Sequence, residues 1–296
     1  MEAIKRPVMQ AKLRLERARA EHGWFDVAYR TFKRYGEDDA SSYAAALTYY
    51  TFFSIFPMLL FAAAALGYIT FGNETLRQEI IDSGLKTVPV LRDALSPEGL
   101  QIIEENKGSL ALTGLALALY SGSGAIVAMG RALNKIHHVT EEGSFLSKRL
   151  RSLMWLAILG AAAVVSLGLS AIAGFAPGPL AFVLALAGGL AVNTTIFATA
   201  FRYLTVKEET WASVLPGAVA AAIGFEIMKV AGTAYLARGE AARSDTFGTF
   251  AAAAGLLVAS YLIAQITLLA AEVNAVLAER RTTRESLNNQ GRRSER

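Results

Sequence analysis

Six stretches of the chain are long, apolar and nearly free of charge, and this constrains the fold more than any other feature. They run at about 44–71, 109–130, 152–176, 179–201, 211–236 and 249–277. A bilayer core about 30 Å thick needs about 20 mostly apolar residues per helix. Backbone polar groups in hydrocarbon must be satisfied within the segment, so only helices or closed barrels cross. The alternating apolar and polar pattern of a barrel strand is absent. The expected fold is therefore all-α: a polytopic helical membrane protein of about six transmembrane helices. Composition agrees. Charged residues make up 18% of the 296, against about 25% in a soluble domain. There are no cysteines, which removes a disulfide framework, a thiolate nucleophile and any Cys-based metal site.

Charge gives the orientation. The segments 1–43, 131–151, 202–210 and 278–296 hold 22 of the 29 Lys and Arg, while 72–108, 177–178 and 237–248 hold six. The positive-inside rule then puts both termini in the cytoplasm. The expected organisation is a basic cytoplasmic segment over 1–43, a six-helix membrane domain over 44–277 and a disordered basic tail over 278–296. The first apolar run follows about forty polar residues and is too long for a cleavable leader, so it is expected to remain as an anchor.

Within these parts, Trp24, Phe25, Ala28 and Phe32 share one helical face, with Arg30, Lys33 and Arg34 elsewhere around the helix. That suits a helix lying in the inner interface among anionic headgroups. The alternative is a short helix packed on the bundle. The outer loop 72–108 has helix-like apolar spacing and seven acids against four bases. It reads as short amphipathic helices, either a lid or simple packing. Pro177-Gly178 makes a tight hairpin between the third and fourth spans.

Ionisable and polar groups inside spans are costly and mark candidate sites. Glu226 and Lys229 are three residues apart on the fifth span, on one face and within pairing reach. Glu226 lies about 22 Å along the helix from Trp211. Asn193 on the fourth span and Gln265 on the sixth are neutral polar groups at intermediate depth, also explicable by interhelical hydrogen bonding. Glu272 falls near the cytoplasmic end of the sixth span, where Arg202 or Arg131 is the expected partner. Tyr49, Tyr50 and Ser54 form a polar aromatic stretch on the first span. Pro57 follows, and is expected to bend or break the helix. A broken helix exposes backbone groups that bind substrate in some transporters, although a lone Pro is also tolerated in a membrane helix. Ser121, Gly122, Ser123 and Gly124, and Gly217, Ala221 and Gly224, permit close helix contact.

Motifs for chemistry are missing. The chain has no GxxxxGK[ST], no HExxH and no nucleophile elbow. Its three histidines, His22, His137 and His138, do not make a metal site, since the adjacent pair points in different directions. No catalytic residue, metal or cofactor is expected, and the chain reads as a non-enzyme. The expected partners are membrane lipids, with a homo-oligomer or an envelope partner protein possible and no nucleic acid. The reading is a protein that binds or translocates an amphiphile such as an anionic envelope lipid, passively, with a coupled ion or with a driving partner. The rival is a non-transporting membrane scaffold.

Four stretches resemble the YihY/BrkB family of bacterial inner-membrane proteins: AAALTYYTFFSIFPMLL at 44–60, LYSGSGAIVAMGRALNKIHH at 119–138, FRYLTVKEETWASVLPG at 201–217 and the region 244–272 with Asn274 after it. The resemblance covers about residues 25–280. The chain departs from the family pattern at Leu204 and Thr205, at Val258 and Ala259, and at Ala270 and Ala271, while Glu272 fits. The resemblance implies a six-helical inner-membrane protein, a former ribonuclease BN label regarded as mistaken, and links to virulence, serum resistance or envelope lipid export.

Overall fold

A computed structural model describes residues 16, 17, 19–69, 106–139, 144–174, 178–239 and 248–294. The expected outer loop lies almost wholly outside the described residues. Seven helices follow in order: α1 Gly23–Glu37, α2 Ala40–Ile69, α3 Lys107–Ile136, α4 Phe145–Gly174, α5 Pro179–Tyr203, α6 Trp211–Gly239 and α7 Gly248–Ser294. No strand occurs among the described residues. The fold is all-helical, and each apolar stretch coincides with one of α2 to α7. Four helical segments among the described residues are long and apolar enough to cross a membrane: Gly108–Ile136, Pro179–Tyr203, Trp211–Gly232 and Ala253–Arg284.

Each helix from α2 to α6 packs on its successor, and α7 returns to α2, so the six close a ring. Helix α1 lies against α7 and, less extensively, α2. The buried apolar core sits at one end of this ring. It gathers Ala44 and Leu47 of α2, Leu133 and Ile136 of α3, Trp155 of α4, Phe201 of α5, Val214 and Ala218 of α6 and Leu268 of α7. That is the end where α2, α4 and α6 begin and where α3 and α5 finish. It carries the basic connections, and is called the basic end below. Toward the other end, large apolar side chains such as Leu112, Phe182, Ile227 and Val258 are exposed, as lipid-facing residues are.

Small residues set the helix spacing. A Cβ on Gly124 would lie 3.0 Å from the Tyr50 ring of α2, and one on Gly122 3.2 Å from Leu156 of α4. One on Gly224 would lie 2.5 Å from Ile266 of α7. The hairpin between α4 and α5 turns at Gly178, whose φ of +49° favours glycine.

Two expectations change. Helix α2 continues through Pro57 without a break. Proline removes one helical hydrogen bond, but the bonds on either side persist in a medium that offers no competing water. Helix α7 runs on to Ser294, where disorder is expected from composition. Arg, Glu, Leu and Gln in the tail are good helix formers, and a long helix before them removes the cost of nucleation.

Helix α1 turns its polar face inward. Asp26 and Thr31 are buried, while Trp24 is 71% exposed and Phe32 is also exposed. It meets the bundle through the ion pairs of Asp26 and Arg34 with α7 and through Tyr35, which packs on the apolar core, and it leaves Trp24 and Phe32 outward.

Candidate functional site

Two polar clusters stand out, one within the span region and one at the basic end. The first joins α5 and α6. Asn193 Nδ2 donates to Glu226 Oε1 at 2.7 Å, and Lys229 Nζ pairs with Glu226 Oε2 at 2.8 Å. Glu226 is buried, whereas the Lys229 side chain is 50% exposed. The Lys229 ammonium also lies 5.9 Å from the centre of the Phe225 ring. Gly189 of α5 makes the room: a Cβ there would lie 2.9 Å from Glu226 Oε1 and 3.6 Å from Lys229 Nζ. Glu226 is about halfway along α6 by residue number. Each carboxylate oxygen of Glu226 therefore has a donor, as a charge in a span requires. The spacing of Glu226 and Lys229 made their pairing legible in the sequence. Asn193 was recognised as polar without its partner, and Gly189 was missed. Its Gly188-Gly189 doublet was the available signal.

The second cluster ties α1 to α7 and to the end of α3. Glu272 is fully buried, and among the described residues neither of its carboxylate oxygens accepts a hydrogen bond. Arg34 Nε lies 3.4 Å from Glu272 Oε2 and 4.0 Å from the buried Asp38 Oδ2, so the two acids share one guanidinium. This corrects the expected pairing with Arg202 or Arg131. The Arg202 guanidinium instead covers the Trp211 ring at 4.5 Å, and α1 folds back to bring Arg34 to Glu272. Arg34 also reaches Glu279 at 3.1 Å and donates to the Ile136 carbonyl at 3.1 Å, closing the α3 terminus. Nearby, Asp26 pairs with Arg19, Arg30 and Arg280. Burial pushes the Asp26 carboxyl up, but the hydrogen bonds from Arg19 and Arg280 and the Arg30 charge outweigh it and hold it below the usual range.

His137 and His138 complete this end. His138 takes a φ of +53°. Its N–H donates to the Lys135 carbonyl and that of Val139 to Asn134, both at 2.9 Å, the Schellman pattern that usually recruits glycine. His137 Nδ1 lies 3.7 Å from Glu209 Oε1. Burial, with the Lys207 charge, lowers the His137 pKa to about 4, against the pull of Glu209.

Pro216 and Gly217 explain a further junction. Proline at 216 cannot donate to the Ala212 carbonyl one turn earlier, and the Arg281 guanidinium of α7 reaches that oxygen at 3.4 Å. The Gly217 N–H donates to Asn274 Oδ1 at 2.6 Å, and Asn274 Nδ2 donates to the Val214 carbonyl at 3.0 Å. A Cβ at Gly217 would collide with the Ala270 carbonyl. Two motifs far apart in sequence thus form one contact.

The remaining candidates lie apart. Tyr49 is exposed, the Tyr50 ring covers Gly124, and Ser54 Oγ donates to the Thr51 carbonyl at 2.8 Å. With Pro57 they belong to α2, packed on α3 and α7. Gln265 is half-buried on α7. The candidates therefore divide among four places, the α2 stretch, the α5–α6 cluster, Gln265 and Glu272, and of residues on different helices the structure brings together only Asn193 with Glu226 and Lys229. Among the described residues, no group of three or more His, Asp or Glu is placed to hold a metal ion.

Comparisons with known proteins agree with this architecture. The family described as Virulence factor BrkB matches residues 31–295. Inner membrane protein YhjD of Escherichia coli (strain K12) is 28% identical over 265 residues, spanning 82% of this chain and 78% of YhjD. Putative ribonuclease-like protein YfkH of Bacillus subtilis (strain 168) is 27% identical over 264 residues, or 84% of this chain and 94% of YfkH. A UPF0761 membrane protein of Chromohalobacter salexigens is 29% identical over 276 residues, or 87% of this chain and 65% of the relative. No solved structure matches the chain. With its ring of long apolar helices, the chain belongs to the Virulence factor BrkB family and is a multi-pass protein of the bacterial cytoplasmic (inner) membrane.

Proposed function

We propose that this protein binds a membrane amphiphile at the Asn193–Glu226–Lys229 cluster and carries it across the bilayer. An anionic envelope lipid is the ligand class that fits. The observation that carries the reading is a half-exposed ammonium held 2.8 Å from a buried carboxylate, about midway along a span helix. In hydrocarbon such a pair is costly unless used or well partnered. Glu226 balances Lys229 when the site is empty, and an entering phosphate exchanges with the carboxylate as its counter-charge. Asn193 then holds the released carboxylate in place. Support also comes from the ring, which is tightly packed at the basic end and exposes large apolar side chains toward the other. Six spans with both termini in the cytoplasm complete the proposal, on the strength of the Lys and Arg distribution.

The rival reading is a non-transporting scaffold of the envelope. It draws on the same cluster, because Glu226 is already satisfied and so can be purely structural. Native mass spectrometry of gently extracted protein separates the two. Wild type retains a stoichiometric anionic lipid, and Glu226→Gln and Lys229→Gln lose it or change its stoichiometry. Equal, nonselective lipid in all three proteins favours the scaffold. The ribonuclease-like label belongs to YfkH as its name, and no residue here is assigned to RNA cleavage.

A further inference from the structure

We propose that Asp38 and Glu272 form a proton-binding site, in which the two carboxyl groups hold one proton between them beside Arg34. The site is separate from the Glu226 cluster, and the inference holds for a transporter and for a scaffold alike.

Thr31, Arg34, Tyr35 and Asp38 are spaced i, i+3, i+4 and i+7, which puts them on one face of α1 and its C-cap. Helix α1 lies against α7, and Arg34 on this face meets Glu272 of α7. Among the described residues, six buried side-chain oxygens have no hydrogen-bond partner. Five of them are Thr31 Oγ1, the Tyr35 hydroxyl, Asp38 Oδ2 and both carboxylate oxygens of Glu272. Buried polar atoms are nearly always bonded. Unbonded oxygens gathered on one face call for a ligand that supplies a donor.

Charge identifies that ligand. The Glu272 side chain is 0% exposed and that of Asp38 7%. Arg34 Nε serves both, while its two terminal nitrogens are engaged by Glu279, the Ile136 carbonyl and His138 Nε2. One guanidinium does not neutralise two buried carboxylates. The other groups facing the pair do not supply the missing charge. His138 Nδ1 lies 3.7 Å from Asp38 Oδ1, on a ring 65% exposed. Tyr35 faces Tyr261 of α7. Asp39, just before α2, accepts from Ser42, and Arg280 of α7 is held by Asp26. No second Lys or Arg among the described residues pairs with Asp38 or Glu272.

Two carboxylates sharing a site do not both stay ionised, and their titration belongs to the pair. A metal cation here would meet the fixed like charge of Arg34. A proton instead settles on a carboxylate oxygen and makes it a donor to the unbonded oxygen opposite. Uptake forms one O–H bond and takes the Arg34–Asp38–Glu272 group from one net negative charge to none. The shared proton also ties α7 to the link between α1 and α2.

The test is infrared difference spectroscopy of the full-length protein in lipid nanodiscs, with folding verified by melting. It reads the C=O stretch of a protonated carboxyl group between about pH 9 and about pH 6, where exposed carboxylates stay ionised. Wild type gains one such band as the pH falls. Glu272→Gln, an isostere of the protonated acid, lacks it. Asp38→Asn lowers the apparent proton affinity at least tenfold, because Glu272 then has Arg34 Nε to itself. Lys33→Gln, on the exposed side of α1, changes that affinity less than twofold. Sodium in place of choline leaves the band unchanged at constant pH. Absence of the band from wild type, or its persistence in Glu272→Gln, overturns the site. Unaltered affinity in Asp38→Asn overturns the sharing. Loss of the band on adding sodium overturns the proton as its ligand.

Discussion

At the scale of single residues, the costly group is Glu272. A fully buried carboxylate whose nearest balancing charge is Arg34 at 3.4 Å depends on that cation. Removing one partner of a buried ion pair costs about 3–5 kcal/mol, because the other charge is left stranded. Arg34→Ala therefore lowers the thermal stability of the detergent-solubilised protein by that order, and Glu272→Gln in the same background recovers part of it, the rest belonging to Asp38, Glu279 and the Ile136 carbonyl that the guanidinium also serves. A melting temperature unchanged in Arg34→Ala contradicts the pairing. His137 supplies a pH dependence. Its folded pKa of about 4 lies below the ordinary 6.5, so the unfolded chain takes up the proton first as pH falls. The stabilisation is complete above pH 6.5 and is lost as pH drops toward 4. At about 1.4 kcal/mol per pKa unit this amounts to about 3 kcal/mol. Melting curves between pH 7 and 4.5 show the decline in wild type and a shallower one in His137→Gln. The sequence marked Glu272 as a candidate but misassigned its cation. Arg34 is 238 positions away in a segment rich in Lys and Arg, and nothing local distinguishes it from Arg30 or Lys33.

At the scale of elements, the close approach of α6 and α7 is the most exacting contact. Asn274 bonds both the Gly217 N–H and the Val214 carbonyl, while the Ala270 carbonyl occupies the place of a Gly217 side chain. Gly217→Ala forces the helices apart, since the obstacle is backbone and cannot rotate away. Overpacking of this kind costs about 1–3 kcal/mol, and Asn274→Ala costs about 2 kcal/mol by stranding buried polar groups. Thermal unfolding of both variants measures this, and a Gly217→Ala protein as stable as wild type contradicts the packing. The helices themselves were legible because span length is a local property of sequence. The continuation of α2 through Pro57 was not, since whether a proline breaks a helix depends on what surrounds the freed carbonyl. Nor was the inward ionic face of α1: the sequence displayed its aromatic stripe, but the acids of Glu272 and Glu279 that receive Arg34 come from the far end of the chain.

At the scale of the whole molecule, the ring of α2 to α7 is tightly packed at the basic end and exposes more of its apolar side chains toward the other. The proposed orientation puts the tight end at the cytoplasm. The cysteine-free chain suits a direct check: single cysteines introduced near residues 5 and 290 react with impermeant maleimide only after the membrane is opened, and one near residue 90 reacts in intact spheroplasts. Labelling of either terminus in intact spheroplasts contradicts the orientation. The central claim is that the Glu226–Lys229 pair serves a moving lipid. The most direct measurement is the transbilayer movement of headgroup-labelled phosphatidylglycerol in sealed vesicles carrying wild type or Glu226→Gln, with folding of both verified by melting. The account predicts movement well above protein-free vesicles for wild type and at least tenfold slower movement for the variant. Equal movement in the two proteins, or none above protein-free vesicles in either, contradicts it.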